Sequence, residues 1–153
     1  MTKEKLANCI VPKNLKIVEI YQKIDFNILN PAPSNAFNSD WNKETKLKFI
    51  QTILQNYPFP AVYTATVGID LNTLKNMEIV VDGKQRLSAV YDYIKGGADF
   101  ENQTEVPTFD SLTAGEKKDF LNYSVTVIDF GELDLETVKN ILRRMRIIIG
   151  NPI

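Results

Sequence analysis

The stretch Glu78-Ile79-Val80-Val81-Asp82-Gly83-Lys84-Gln85-Arg86-Leu87-Ser88-Ala89-Val90-Tyr91-Asp92-Tyr93-Ile94-Lys95-Gly96 decides how this chain is read. Ile79, Val80 and Val81 are a short β-branched run and predict a strand. Gly83 permits a sharp turn, because a residue without a Cβ tolerates backbone angles closed to the others. Leu87, Val90, Tyr91 and Ile94 then recur at i, i+3, i+4 and i+7, the spacing of one buried helix face, and Gly96-Gly97 stops that helix. An acid, two cations and an amide therefore gather at a helix N-terminus. Unpaired backbone N–H groups and the helix dipole favour an anion such as phosphate there.

Each of these residues has a chemical reading and a structural one. Arg86 can fork two N–H groups onto a phosphate and Lys84 can add a point charge; the alternative is an ion-paired helix surface. Asp82 can hold Mg²⁺ or orient a water, and its structural role is to cap the helix by accepting an N–H near Gln85. Gln85 would position a water or read a base edge, against a plain surface amide, and Gly83 needs only its positive φ. Trp41 could stack on a base, although a lone tryptophan at a helix start more often belongs to the core. Arg143, Arg144 and Arg146 form a basic cluster near the end of the last helix, where the dipole favours cations in any case. Asp129, Glu132, Asp134 and Glu136 read as a turn and a helix start, without the spacing of a Ca²⁺ site.

Composition removes whole classes of chemistry. The 153 residues contain no histidine and one cysteine, Cys9, so histidine-based triads, histidine-ligated zinc and an intrachain disulfide are all excluded. The single cysteine suits a reducing cytoplasm. A net charge of −1 gives no general attraction to polyanions, so a nucleic-acid contact would need a local basic patch. No apolar run reaches the length of about 20 residues that spans a bilayer, and the N-terminus lacks a signal-type apolar stretch.

The expected organisation is a polar lead-in over residues 1–16 and a single domain over 17–153. Strands are expected at 17–25, 61–67, 77–81 and 123–130, with a loop over 27–39. The first helix begins at Asp40 or Asn42, carries Leu47, Ile50, Leu54 and Tyr57 as its stripe, and ends at Pro58. Thr113-Ala114-Gly115-Glu116 is a capping box that opens a helix to about Leu121. Asp134 caps the last helix, with Leu135, Val138, Leu142 and Met145 inward. Strands alternating with helices give an α+β fold, a small mixed sheet with helices packed on it.

Asp82-Gly83-Lys84-Gln85-Arg86-Leu87-Ser88-Ala89 resembles the DGQQR-L-[ST]-[AT] signature of the ParB-like domain family of GmrSD-type restriction systems, with Lys84 in place of the first Gln. Two further segments agree in the same order. Trp41-Asn42 through Ile50-Gln51-Thr52-Ile53-Leu54-Gln55-Asn56-Tyr57-Pro58-Phe59-Pro60 resembles that family's helix-and-exit motif. Leu121-Asn122-Tyr123-Ser124-Val125-Thr126-Val127 resembles the strand after its central helix.

The resemblance covers about residues 37–146 and implies a ParB/sulfiredoxin-like fold. It further implies a nucleoside triphosphate bound with Mg²⁺ through Gly83, Lys84 and Arg86. Asp82 would be the metal ligand, Asp82 and Gln85 the groups for hydrolysis, and Trp41 and Arg146 accessory to the pocket. Such domains couple nucleotide state to nucleic-acid sensing or cleavage in phage defence, which implies a nucleotide, a nucleic acid or a nuclease as partner. The chain departs from the family where Phe37-Asn38-Ser39-Asp40 lacks a Gln-Arg pair and where Arg146 replaces an asparagine. The family's downstream nuclease-bearing regions are missing from the sequence, so nuclease activity is not carried over. A rival reading is a non-enzymatic DNA-sensing or protein-interaction module whose Asp82–Arg86 turn is structural.

Overall fold

A computed structural model describes residues 10–31 and 41–149, with side chains described as far as Met145. In chain order the elements are β1 (Val11–Lys16), α1 (Ile17–Asp25), β2 (Leu29–Asn30), α2 (Lys43–Leu54), β3 (Val62–Asp70), β4 (Lys75–Asp82), α3 (Lys84–Lys95), α4 (Ala114–Leu121), β5 (Ser124–Glu132) and α5 (Leu135–Ile149). The strands form one mixed sheet in the order β1-β5-β3-β4-β2. β1–β5 and β3–β4 pair antiparallel, while β5–β3 and β4–β2 pair parallel. This is the α+β architecture expected from the alternation of patterns.

The sheet separates two cores. On one face α1, α2, α3 and α4 bury Ile17, Ile20, Ile50, Ile53, Leu87, Val90, Tyr93 and Phe120 against Val62, Val80, Val125 and Val127. On the other, α5 brings Val138 and Ile141 onto Ala65, Ile79, Val81 and Phe130. Successive β-strand side chains point to opposite faces, so Val80 joins the first core while Ile79 and Val81 join the second. Tyr93 is fully buried among the rings of Phe100, Phe109 and Phe120, and its hydroxyl donates to the Pro107 carbonyl at 2.7 Å. Burial pushes that hydroxyl's pKa up to about 12. No helix among the described residues is long and apolar enough to cross a membrane.

Several expectations need correction. Residues 17–25 are the helix α1: Ile17, Ile20 and Ile24 fall at helical spacing, and Asn27, in the left-handed region at φ 58°, ends the turn with the Ile28 N–H donating to the Lys23 carbonyl. Residues 11–16, expected as loose lead-in, are the edge strand β1, where Pro12 is tolerated because an edge needs no donor on its outer side. β2 lies within the expected loop, and residues 32–39 of that loop, including Phe37, lie outside the described residues, as does Asp40. α2 is capped by Asn42, whose Oδ1 accepts the Thr45 N–H at 2.8 Å. It stops at Leu54, because Asn56 at φ 60° closes it before Pro58, so Tyr57 is exposed and not part of the stripe. β3 and β4 run longer than expected and form a hairpin. The Thr113–Glu116 capping box and the Asp134 cap are both present. Leu135 is exposed, however, and not inward.

Candidate functional site

β4 ends at Asp82, and the next residue turns the chain into α3. Gly83 is the helix N-cap at φ 106°, so the capping position expected for Asp82 belongs to the glycine. A Cβ there would stand 3.0 and 3.2 Å from the Val62 methyls and 3.3 Å from Arg86 Nη2. Both conformation and space therefore demand glycine. The Leu87 N–H donates to the Gly83 carbonyl at 3.0 Å, which leaves the amides of the first turn without an intrahelical acceptor.

The buried face of α3 carries Arg86, Leu87, Ala89, Val90 and Tyr93, rotated from the expected stripe so that Tyr91 and Ile94 lie at its margins. Arg86, one position before the apolar stripe in sequence, is thus inside the protein at 3% exposure. Its Nη1 donates to the carbonyls of Pro60 and, at 3.3 Å, Ala61, and its Nη2 lies 3.7 Å from an Asp82 carboxylate oxygen. The guanidinium also sits over the Phe59 ring at 5.8 Å. Burial pulls its pKa below the ordinary arginine value, while Asp82 and then Tyr63 oppose that shift. The Nε is buried without a hydrogen-bond partner.

Gln85 has a comparable role ahead of α2. Its Oε1 accepts the Trp41 N–H at 3.1 Å, which ties the residue before the α2 cap to the first turn of α3. Trp41 packs edge-on against Phe49 at 5.3 Å and lies against the first core, the structural alternative considered for it. Phe59 in turn packs edge-on to Phe49 and stacks on Tyr123 at 5.5 Å, and the Tyr123 hydroxyl donates to the Tyr57 carbonyl at 2.6 Å. The three sequence segments therefore meet in space. Gln85 holds the start of α2 and Arg86 holds the Phe59-Pro60-Ala61 exit, with Tyr123 beneath it.

Lys84 is half-buried at the first position of α3. Arg146 belongs to α5, but its side chain lies outside the described residues. Asp129, from the acidic set, pairs with Lys13 at 3.5 Å and accepts the Gly131 N–H. Among the described residues no group of three acidic or thiolate side chains could hold a metal by itself. Sequence reasoning missed Tyr63, the β3 register partner of Asp82, and the Pro60 and Ala61 carbonyls. The two prolines around Phe59 signalled only a helix end; that their loop supplies acceptors to Arg86 needs the fold.

Comparison with known families finds a match to the model of the GmrSD restriction endonuclease, N-terminal domain, over residues 38–147. Comparisons with curated proteins and with solved structures find no match. The matched span contains α2, its exit loop, β3, β4, α3 and β5, the elements that meet at the Asp82–Arg86 turn. The chain belongs to the GmrSD restriction endonuclease N-terminal domain family, and with it to the setting of restriction.

Proposed function

We propose that the Asp82–Arg86 turn binds the phosphates of a nucleoside triphosphate together with Mg²⁺, in the service of restriction and phage defence. The observation that carries this reading is the clamp: Gln85 holds the residue before the α2 cap, Arg86 holds the loop that leads into β3, and Arg86 Nη2 stands 3.7 Å from the carboxylate of Asp82, the residue before the α3 N-cap. In this reading the phosphates meet the backbone amides and Lys84, and the buried Arg86 positions Asp82 instead of forking onto the ligand. The residues fit Mg²⁺ only as an ion that arrives with its phosphates, since Mg²⁺ commonly takes one or two carboxylates and completes its shell with phosphate oxygens and water.

A thermal scan tests the proposal. A ligand that binds only the folded state adds RT ln(1 + [L]/Kd), about 2.7 kcal/mol at a hundredfold excess, or roughly 5 to 10 °C for a chain of this size. Millimolar nucleoside triphosphate with Mg²⁺ should produce such a shift, and Asp82→Asn should reduce it. No shift for any base would end the reading.

A second reading is favoured by one specific observation, that Gln85 Oε1 and the Arg86 η-nitrogens already bond backbone groups. There the turn is purely structural, and the domain is a non-enzymatic DNA-sensing or protein-interaction module. It expects no nucleotide shift and a loss of basal stability on replacing either residue.

A further inference from the structure

Six of the nine large hydrophobic side chains exposed among the described residues lie at the turn end of the β3–β4 hairpin or beside it: Phe26, Ile69, Leu71, Leu74, Met77 and Leu135. Leu71 and Leu74 are 83% and 79% exposed at the tip itself. Lys75 ties Phe26 to this group by donating to its carbonyl at 2.9 Å and standing over its ring, and Leu135 shares with Met77 and Asp70 the groove that flanks the hairpin.

The tip is built, not loose. Asp70 Oδ1 accepts the Asn72 and Thr73 N–H groups at 2.8 and 3.3 Å, and the Leu74 N–H donates to the Asp70 carbonyl at 2.7 Å. That turn holds Leu74 at φ 58°, the left-handed region that Gly or Asn adopts with less strain. A leucine kept in a strained conformation and pointed into water gives the folded monomer nothing. Contact made through its side chain accounts for it.

We infer that this patch is a self-association surface whose occupant is a second copy of the same chain. A two-fold contact requires the patch to complement itself. Asp70 and Lys75 flank the leucines as a cross-strand pair of opposite sign, so two tips facing each other about a two-fold axis bring each copy's acid toward the other's base. A net charge of −1 opposes association very little. One lysine balanced by one aspartate lacks the basic cluster that draws a surface to anionic lipid. The inference does not depend on nucleotide binding.

A patch of six side chains supports a weak, reversible dimer, so sedimentation velocity is read from about 5 to 500 µM. The wild-type mass should rise toward twice that of the chain, while Leu71→Asp/Leu74→Asp stays monomeric with a melting temperature no lower than that of the wild-type monomer. Leu74→Gly separates the two effects: it should raise the monomer's melting temperature by a few degrees and weaken the dimer. A wild type that stays monomeric throughout, a double variant that still dimerises, or a melting temperature lowered by Leu74→Gly would each overturn the inference. Flotation of a monomeric wild type with neutral or phosphatidylserine vesicles, abolished in the double variant, would overturn it in favour of lipid.

Discussion

At the scale of single residues, Gly83 and Arg86 carry the most consequence. Gly83→Ala must place a Cβ at φ 106° and 3.0 Å from a Val62 methyl, so it should destabilise by about 2–4 kcal/mol in urea unfolding. The need for glycine was legible from the Asp-Gly joint, but the Val62 contact was not, because it joins residues 21 apart in the chain. Arg86→Lys replaces a fork that reaches two carbonyls and Asp82 by a point charge, leaving a buried acceptor without its partner. It should cost about 1–3 kcal/mol with no nucleotide present. A melting curve identical to wild type would return Arg86 to the role of a free anion ligand. Periodicity could name Arg86 as an anion binder because type and position suit that chemistry. It could not show that carbonyls from the α2 exit loop reach the guanidinium first.

At the scale of elements, α3 depends on its buried face and α2 on its cap. Leu87 is buried at 2% exposure, so Leu87→Ala should lose about 2–5 kcal/mol as a core cavity, whereas Lys84→Ala, at a half-buried position, should lose clearly less. Equal losses in denaturant melts would mean that the inward face is misassigned. Asn42→Ala removes the acceptor for the Thr45 N–H and should cost about 1 kcal/mol. Because Trp41 precedes that cap and donates to Gln85, the same change should loosen the start of α2, and faster amide exchange at Trp41 would report it. The caps at Asn42, Thr113 and Asp134 were readable because capping is local, an oxygen reaching an amide three residues on. Helix α1 was misread as a strand because a nine-residue run rich in isoleucine and valine satisfies both periods.

For the whole molecule, the absence of histidine sets the pH response. Hydrogen bonds hold three carboxyls below their usual range: Asp25 mainly through Lys95, Glu116 through the Thr113 amide and Asp134 through the Thr137 amide. A lowered folded pKa gives stability that is present above the unfolded value and lost as pH falls through the folded one. Burial raises the Asp92 carboxyl, and that group acts in the opposite sense. The urea midpoint should therefore be flat from about pH 6 to 8 and fall below about pH 4. Asp92→Asn should raise the neutral-pH midpoint and steepen the acid loss; an unchanged profile would show that Asp92 is not the opposing group. By itself the sequence determined the α+β class, the α3, α4 and α5 helices with most of their caps and the exclusion of histidine and disulfide chemistry, because each rests on spacing within a few residues or on composition. Only the tertiary structure decided that Gln85 grips the residue before the α2 cap and Arg86 the loop that leads into β3, that β1 is an edge strand of the sheet and that two leucines stand out at the hairpin tip. Those outcomes depend on which distant backbone groups arrive within hydrogen-bond reach, and on which apolar side chains the available helices leave uncovered.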